Sequence, residues 1–444
     1  MEKIAVIGYG KNGQGNVEAL VHMGYRVVVY DDHDIQMSSF GKEASVAVWT
    51  GDQIPEGLTL AIKSPGIRMD HPLIQGLIGA KIPVMTDVEF FQRHFDFPVI
   101  GITGTNGKTT TTTLVGEILR QGGKETCVAG NIGIGILPCA VHAEKDTWFV
   151  LELSSFQLES CVRFQPKVST IINLRPDHLE WHGGYEAYKA AKKRLWMNAA
   201  EDDIIVVNQD DPELVAEGKQ SKAKVIGFSI EKELEEGCFL LDDAVVYREK
   251  GETLFIASLD EIPLKGRHNY QNIAVAVALS IQAGVGIEAI QKTILSFQGI
   301  SHRFEWLGKH GKRGFFNDSK GTNTEASVAA VQAVEGPKVL IGGGYDKGEV
   351  FGDFFEACRI NQVHTVILMG QTASKMKAAA ESAGISKILY ASDLNEAVAL
   401  SLKNSQEDDW ILLSPACASW DQYKSYEERG EIFRQVVMKI EETD

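Results

Sequence analysis

Short apolar runs that alternate with helical segments are the feature that most constrains this fold. The runs IAVI at 4–7, VIGIT at 99–103 and VILM at 366–369 are nearly continuous, and each ends in a glycine-rich or polar turn. A strand with consecutive apolar residues is buried on both faces, as in a parallel sheet covered by helices. The sequence therefore predicts an α/β protein with doubly covered parallel sheets.

Three series of such runs predict three domains, since 444 residues exceed the size of one ordinary domain. Between about 224 and 265 the runs become shorter and alternate with polar residues, which predicts a small antiparallel sheet attached to the central one. The predicted domains are a Rossmann-like N-terminal domain (1–94), a central P-loop mononucleotide-binding domain with a parallel sheet (95–298), and a Rossmann-like C-terminal domain (299–444).

Charge and cysteine content exclude several classes of protein. A formal net charge of -16 argues against binding nucleic acid through a basic surface. The six cysteines are scattered without a C-x-x-C pair, so neither a disulfide framework nor a zinc knuckle is indicated, and a reducing cytoplasm fits best. The N-terminus lacks a signal-peptide layout and no 18-residue apolar stretch occurs, so we expect no membrane span. A monomer is also expected, although no motif in the sequence sets the oligomeric state.

The segment TGTNGKTT at 103–110 has the pattern of a phosphate-binding loop between a strand and a helix. Gly104 and Gly107 would let the backbone approach a phosphate, Lys108 would pair with its outer oxygens, and Thr109 would offer a hydroxyl to magnesium. Ile102 stands where the strict pattern has glycine, so the loop is a variant. The alternative is an ordinary strand–turn–helix corner.

A second glycine pattern, GYGKNG, lies at the N-terminus. Gly8, Gly10 and Gly13 fit G-x-G-x-x-G, and Asp31 ends the next strand. Three interpretations are open: a dinucleotide site, glycines needed only for strand–helix packing, and a site for the nucleotide diphosphate of a substrate. The third is preferred, because the phosphate loop for a mononucleotide lies elsewhere in the chain.

Three side chains of the central domain are candidates for metal binding and catalysis. Glu152 shares a face of an apolar strand with Trp148, where a carboxylate is costly unless paired or bound to metal. His178 follows the end of another strand, at the usual ligand-binding edge of such sheets. Lys192 falls on the apolar stripe of a helix predicted over 185–199. The alternatives are an exposed strand end, a surface histidine and a lysine that extends to water.

Polar clusters follow three strands of the last domain, and all would lie at one edge of its sheet. Such cations, hydroxyls and loop amides can bind an acidic substrate, although each cluster could also be a solvated turn. They are Asp318 to Lys320, 342–344 with Lys347, and 414–419.

Nine motifs together identify a family resemblance. They are TGTNGKTT (103–110), GNIG (130–133), LELSSFQLE (151–159), DHLEWHG (177–183), YKAAKKRL (188–195), GRHNYQN (266–272), HRFE (302–305), NDSKGTN (317–323) and LLSPACASWDQY (412–423). The sequence resembles the Mur ligase family of peptidoglycan synthesis over essentially its whole length. The last two motifs resemble the branch that adds D-glutamate to UDP-N-acetylmuramoyl-L-alanine.

This resemblance implies an ATP-dependent ligation through an acyl phosphate and a tetrahedral intermediate. It implies catalytic roles for Lys108, Glu152, His178 and Lys192, the last carbamylated by carbon dioxide, with two magnesium ions held by Thr109, Glu152, His178 and the Lys192 carbamate. The implied ATP-binding residues are Gly104, Thr105, Asn106, Gly107, Lys108, Thr109, Thr110, Asn269, Arg303 and Asp318. Those implied for the UDP-linked substrate are Gly10, Lys11, Asn12, Asp31, Asp32, Gly66, Asn131 and His178, and those for D-glutamate are Lys320, Thr322, Lys347, Ser419 and Tyr426.

The sequence departs from the family pattern at two places. Lys11, Asn12, Asp32 and His33 stand where better-known relatives have other side chains, so the resemblance does not assign the uracil contacts. Tyr426 stands where phenylalanine is expected, which adds a hydroxyl. The rival functions are a nicotinamide-dependent dehydrogenase, a folylpolyglutamate synthase and a non-catalytic nucleotide-binding scaffold.

Overall fold

The computed structural model describes residues 2–33, 45–49, 53–310 and 312–440. The chain divides into two compact units, Met1–Ser296 and Phe297–Asp444, and each unit is described by itself. In the described ranges, no helix is long and apolar enough to cross a bilayer.

The first sheet of the first unit is parallel and Rossmann-like. Its order is β3-β2-β1-β4-β5, so the chain reverses direction across the sheet between β1 and β4. The strands are β1 (Lys3–Ile7), β2 (Arg26–Tyr30), β3 (Val46–Val48), β4 (Leu58–Lys63) and β5 (Val84–Met85). The helices are α1 (Lys11–His22), α2 (Pro72–Gly79) and α3 (Asp87–His94).

The second sheet has nine strands in the order β14-β13-β12-β11-β10-β9-β6-β8-β7. The strands are β6 (Val99–Thr103), β7 (Thr126–Gly130), β8 (Trp148–Glu152), β9 (Val168–Ile171), β10 (Ile204–Asn208), β11 (Lys224–Ser229), β12 (Gly237–Leu241), β13 (Ala244–Glu249) and β14 (Glu252–Ser258). Strands β12, β13 and β14 pair antiparallel, and β12 joins β11 in parallel. The predicted antiparallel strands therefore extend the parallel sheet as one mixed sheet.

The helices of this second sheet mostly follow its strands. They are α4 (Lys108–Gln121), α5 (Ile136–Ala140), α6 (Ser155–Leu158), α7 (Leu179–His182), α8 (Tyr185–Lys193), α9 (Pro212–Gly218), α10 (Arg267–Gln282) and α11 (Ile287–Ser296). The helix predicted over 185–199 was too long, because α8 ends at Lys193 and a 3-10 turn follows at Arg194–Trp196.

One apolar core joins the two sheets of the first unit. Val88 and Phe91 of α3 belong to the same buried cluster as Phe149 and Leu151 of β8. The Phe91 and Phe149 rings lie 4.9 Å apart. Phe91 thus packs against β8 just before the predicted 94/95 boundary, whereas His94 and Asp96 beside the boundary are exposed. The boundary itself stays a prediction.

The second unit contains a six-stranded sheet in the order β15-β16-β20-β17-β18-β19. Only β15 is antiparallel to its neighbour, so the predicted α/β architecture is confirmed. The strands are β15 (Glu305–His310), β16 (Arg313–Asn317), β17 (Lys338–Gly343), β18 (Val363–Met369), β19 (Ile388–Tyr390) and β20 (Trp410–Leu413). The helices are α12 (Thr324–Gln332), α13 (Gly352–Ile360), α14 (Ala373–Ser382), α15 (Leu394–Asn404) and α16 (Tyr426–Met438).

Candidate active site

The predicted phosphate loop connects β6 to α4 in the centre of the nine-stranded sheet. Gly107 has a φ of +83°, and a Cβ there would lie 2.2 Å from Oδ1 of Asn272. Nζ of Lys108 donates to the carbonyl oxygens of Gly104 at 2.9 Å and Thr105 at 2.8 Å. The loop therefore curls around the lysine ammonium at the start of a long helix, which is the arrangement that binds phosphate.

Two residues that sequence analysis missed hold this loop in shape. Oδ1 of Asn173 accepts the amides of Thr105 at 3.1 Å and Asn106 at 2.9 Å. The hydroxyls of Thr105 and Tyr188 are hydrogen-bonded at 2.9 Å. Asn173 lies two residues after the end of the buried strand β9, and that position was the signal available in the sequence.

The predicted ATP residue Asn269 is connected to the loop by Asn272, which lies on the same helix. Its Oδ1 accepts from Nδ2 of Asn272 at 3.4 Å, and Asn272 is the residue that faces Gly107. The remaining loop residues, Thr109 and Thr110, occupy the first turn of α4.

Lys192 is buried against the same loop and does not extend to water. The residue is 2% exposed, and Nζ donates to the Gly104 carbonyl at 2.8 Å and to Oγ1 of Thr103 at 3.3 Å. Burial, followed by the nearby Lys108 ammonium, holds the pKa of Lys192 well below its usual range. Burial therefore shifts Lys192 toward its neutral form.

Glu152 ends β8 as a buried carboxylate rather than as an exposed strand end. It is 2% exposed, and Oε1 accepts from Nδ2 of Asn131 at 2.8 Å. Oε2 is buried and has no hydrogen-bond partner among the described residues. An unpaired carboxylate oxygen is costly in the interior, so this atom is suited to a cation.

His178, the third predicted metal-binding side chain of the central domain, is half exposed. Its side chain is 50% exposed, its φ is +50°, and Nε2 lies 3.4 Å from Oδ2 of Asp177. His182, which sequence analysis did not single out, is more central: its ring contacts Phe156 and Tyr188, and Nε2 lies 3.0 Å from Oγ of Ser155. Burial lowers the pKa of His182.

No group of three or more His, Cys, Asp and Glu side chains in the described part of the chain is arranged for a metal ion. The predicted metal set contains only two side chains of those types, Glu152 and His178. Its other members are a hydroxyl and a lysine.

The N-terminal glycines divide into two kinds. A Cβ on Gly13 would lie 2.0 Å from the Gly8 carbonyl oxygen, and one on Gly8 (φ +93°) would lie 2.6 Å from Oγ of Ser64. These two glycines are required for packing between β1, α1 and the segment after β4. Gly10 has open space around it, so it is the glycine that leaves room for a ligand.

Asp31 organises the adjacent loop. Its carboxylate accepts the amides of Tyr9 at 2.6 Å and His33 at 2.9 Å. Burial would raise the pKa of Asp31, but these amide hydrogen bonds outweigh it and the pKa is lowered. Asp31 is therefore ionised and engaged with backbone.

A cavity of about 300 Å³ opens beside this loop. The predicted residues Gly10, Asp31 and Asp32 line it, and Gly66 lies between two further lining residues in the sequence. The complete lining is Gly8, Gly10, Tyr30, Asp31, Asp32, His33, Ser64, Ile67 and His71.

The start of α1 faces the segment after β7. A Cβ on Gly133 would lie 3.8 Å from Nζ of Lys11, and Asn12 donates from Nδ2 to Oδ2 of the buried Asp87 at 3.0 Å. Lys11 and Asn131 thus belong to neighbouring segments. The Asn12 side chain, in contrast, is engaged in its hydrogen bond with Asp87.

In the second unit, Asp318 is buried and follows directly after β16. It accepts the Ser414 hydroxyl at 2.8 Å and the Phe304 amide at 3.2 Å. Burial raises its pKa to about 7, although Arg303 acts in the opposite direction. Asn269 lies in the first unit, whereas Arg303 and Asp318, which share its predicted role, lie in the second.

The residues predicted to bind D-glutamate lie in this second unit, four of them in loops and Tyr426 at the start of α16. Nζ of Lys320 lies 5.7 Å from the centre of the Tyr426 ring, and Thr322 follows in the same turn, its amide bonded to the Lys320 carbonyl at 2.8 Å. Nζ of Lys347 lies 5.2 Å from the centre of the exposed Trp420 ring. Oγ of Ser419 is buried and has no partner within the described ranges.

Arg429 is the principal residue of the second unit that sequence analysis missed. Its guanidinium is buried and donates to the hydroxyl of Ser319 at 3.0 Å and to the carbonyl of Cys417 at 3.1 Å. It therefore links the segments that carry Lys320 and Ser419. Its position one turn into α16, after three acidic or polar residues, gave little sign of burial.

Comparison with known proteins gives concordant results. The family description "Mur ligase middle domain" matches residues 102–280, and "Mur ligase, glutamate ligase domain" matches residues 302–417. The chain is 37% identical over 448 residues to a UDP-N-acetylmuramoylalanine–D-glutamate ligase of Thermoanaerobacter sp. (strain X514), with 99% of this chain and 98% of the relative covered. The corresponding ligase of Geobacillus kaustophilus (strain HTA426) is 38% identical, with 99% and 98% covered.

Solved structures agree on the fold. A UDP-N-acetylmuramate–alanine ligase from Thermotoga maritima superposes with a TM-score of 0.59 at 19% identity, covering 99% of each chain. The MurF ligase from Thermotoga maritima, solved in complex with ADP, gives a TM-score of 0.58 at 17% identity, covering 99% of this chain and 95% of that one.

Proposed function

Since the chain belongs to the Mur ligase family, we propose that it joins D-glutamate to UDP-N-acetylmuramoyl-L-alanine with hydrolysis of ATP to ADP and phosphate. One structural observation carries the proposal. A phosphate loop with Lys108 lies directly against a buried lysine, Lys192, and the chain also buries a carboxylate, Glu152, with an unpaired oxygen. The rival function, a nicotinamide-dependent dehydrogenase, would not use these three side chains in its reaction.

The chemistry has two steps. The substrate carboxylate attacks the γ-phosphorus of ATP, which gives an acyl phosphate and releases ADP. The amine of D-glutamate then adds to the acyl carbon, and the tetrahedral intermediate expels phosphate as the amide forms. Positioning and charge neutralisation provide most of the catalysis in phosphoryl transfer, so the preformed loop is well suited to the first step.

The loop residues act on ATP through backbone amides and one cation. We assign Gly104, Thr105, Asn106, Gly107, Lys108, Thr109 and Thr110 to the phosphates. Asn173 fixes two of the loop amides in place, so the loop loses less conformational entropy when ATP binds. We assign Asn269, Arg303 and Asp318 to the rest of the nucleotide.

Magnesium fits the hard oxygen donors of this site, the Thr109 hydroxyl and the Glu152 carboxylate. We assign one ion to Thr109 and Glu152, because Oε2 of Glu152 is a buried acceptor without a protein donor among the described residues. We assign a second to His178 and a carbamate on Lys192. When bound, the ions would neutralise charge on the phosphate oxygens.

A carbamate fits Lys192, because only a neutral amine can add carbon dioxide and burial favours that form. Nζ would bond to the carbon of carbon dioxide and lose one proton. The product exchanges a potential positive charge for a negative one beside Lys108. A crystal of the enzyme grown with bicarbonate and magnesium tests this directly, and unmodified lysine density at Lys192 would contradict it.

The other substrates are assigned to separate places. We propose that the UDP-linked substrate binds at Gly10, Lys11, Asp31, Asp32, Gly66, Asn131 and His178, with Asn12 supporting the site through Asp87. We propose that D-glutamate binds at Lys320, Thr322, Lys347, Ser419 and Tyr426. We further propose that the enzyme acts as a monomer in the cytoplasm, where ATP and a UDP-linked precursor are available.

One assay tests the proposed function. Phosphate release from ATP is measured with UDP-N-acetylmuramoyl-L-alanine and with D-glutamate, L-glutamate or no amino acid. We expect release that requires D-glutamate and is abolished in Lys108→Ala, while Lys145→Ala, an exposed lysine, retains it. Equal rates with and without D-glutamate would contradict the proposal.

A further inference from the structure

Two cysteines outside the candidate active site form a pair. Cys127 of β7 and Cys139 of α5 line the same cavity. We propose that they form a reversible dithiol–disulfide site that is oxidised by peroxides.

The pair differs from the other cysteines in exposure. Cys127 lies on β7, the edge strand of the nine-stranded sheet, and Cys139 lies on α5. Both are partly exposed to a cavity of about 460 Å³. The remaining four cysteines are buried: Cys161, Cys238, Cys358 and Cys417. A peroxide can therefore reach the pair, whereas the other thiols are shielded.

The surroundings of the pair favour a thiolate. Arg120 lines the same cavity and acts to lower the pKa of Cys127, and the interaction with Cys127 lowers the pKa of Cys139. Burial instead raises the pKa of Cys161 to about 12 and that of Cys417 to about 11.

The reaction balances with hydrogen peroxide as the oxidant. The thiolate of one cysteine of the pair attacks one peroxide oxygen, which gives a sulfenic acid and hydroxide. The thiol of the other cysteine then attacks the sulfenic sulfur, the S–S bond forms, and water leaves. The two sulfurs lose two electrons in total, and a thiol reductant restores them.

The bond would close a ring that contains the GNIG segment. Within that ring, the Asn131 amide donates to the Glu152 carbonyl at 2.8 Å, and Nδ2 of Asn131 donates to Oε1 of Glu152 at 2.8 Å. Cross-linking residues 127 and 139 restricts the motion of this segment. We therefore expect oxidation to weaken binding of the UDP-linked substrate, a consequence that rests on the proposed function.

Mass spectrometry tests the modification without assuming any activity. Trypsin leaves both cysteines in one peptide, residues 125–145, because no lysine or arginine lies between Lys124 and Lys145. After treatment of the folded protein with hydrogen peroxide, this peptide should lose about 2 Da and regain it with dithiothreitol. Cys139→Ser should not lose that mass, and peptides with the four buried cysteines should be unchanged.

Other results would overturn the proposal. Faster oxidation of a buried cysteine, or stepwise oxygen addition to the 125–145 peptide without mass loss, would show that the pair is not a dithiol switch. For the consequence, KM of the UDP-linked substrate should rise by about fivefold or more on oxidation of the parent enzyme, and should not change in Cys139→Ser. Mass loss with an unchanged KM would contradict the coupling to Asn131 and leave the proposed function intact.

Discussion

Burial sets the charge of individual side chains at both candidate sites. Lys192 and Asp318 are both buried, and in each case burial favours the neutral form. Glu152 is equally buried but keeps one oxygen available to a cation. Exposed side chains of the same types would instead be charged at neutral pH and hydrated by water.

Asp318 should make the stability of the second unit depend on pH. Its pKa is about 7 in the folded chain against an ordinary 3.8, so between these values the folded state binds more protons than the unfolded state. The free energy of unfolding should therefore fall as pH rises through this window, by about 1.4 kcal/mol per pH unit. Asp318→Asn should lack this contribution, because its amide does not titrate.

Urea unfolding at about pH 5 and about pH 7 measures the effect. The parent protein should lose about 2 kcal/mol more between the two than Asp318→Asn does. The asparagine can still accept the Phe304 amide and pair with Ser414. Parallel pH profiles for the two proteins would show that Asp318 is ionised in the folded chain.

At the residue scale, sequence patterns indicated groups that lie on strand ends or apolar stripes. Glu152 and Lys192 were singled out for that reason, and both are buried. Asn173 and Arg429 were missed, because an amide or guanidinium that supports a loop through tertiary hydrogen bonds has no local pattern. The packing role of Gly8 and Gly13 could not be predicted either, because it depends on tertiary neighbours, Ser64 for Gly8 and the Gly8 carbonyl for Gly13.

At the element scale, the start of α4 depends on one glycine. Gly107→Ala should abolish phosphate release and lower stability, because a methyl group would strain a left-handed residue and meet Oδ1 of Asn272 at 2.2 Å. Left-handed strain alone costs about 1–2 kcal/mol. Gly123→Ala is the matched control: its φ is +75°, but nothing lies within 4 Å of the added Cβ.

Unfolding and ATP-dependent phosphate release separate the two effects. The control should lose about 1 kcal/mol and retain its KM for ATP. Gly107→Ala should lose more stability and all measurable turnover. Normal turnover in Gly107→Ala would mean that this loop does not bind ATP.

The element types followed from the sequence more reliably than their ends. Continuous apolar runs identified the parallel strands, and alternating runs identified β12 to β14. The end of α8 at Lys193 was missed, because the apolar stripe continues through Leu195 and Trp196 while the backbone tightens into a 3-10 turn. A side-chain pattern with period near 3.6 does not distinguish the two at a helix end.

At the scale of the whole molecule, two sheets in the first unit share one core, which runs of apolar residues alone could not reveal. A buried carboxylate joins them as well. Glu89 of α3 accepts the amides of Val162 at 2.8 Å and Arg163 at 2.9 Å, and it pairs with Arg93 at 2.9 Å. Glu89, on a helix that belongs to the first sheet, thus accepts hydrogen bonds from two backbone amides in a loop of the second sheet.

Glu89→Ala should therefore destabilise both sheets together. It leaves two amides without an acceptor, which costs about 2–5 kcal/mol in total. Hydrogen exchange followed by mass spectrometry should show faster exchange in peptides from β1 and β4 and also in those from β6 and β8. Glu89→Gln keeps one carbonyl oxygen and should give a smaller change in the same peptides. Faster exchange confined to the first sheet would mean that residues 1–94 unfold independently, as the predicted domain boundary implies.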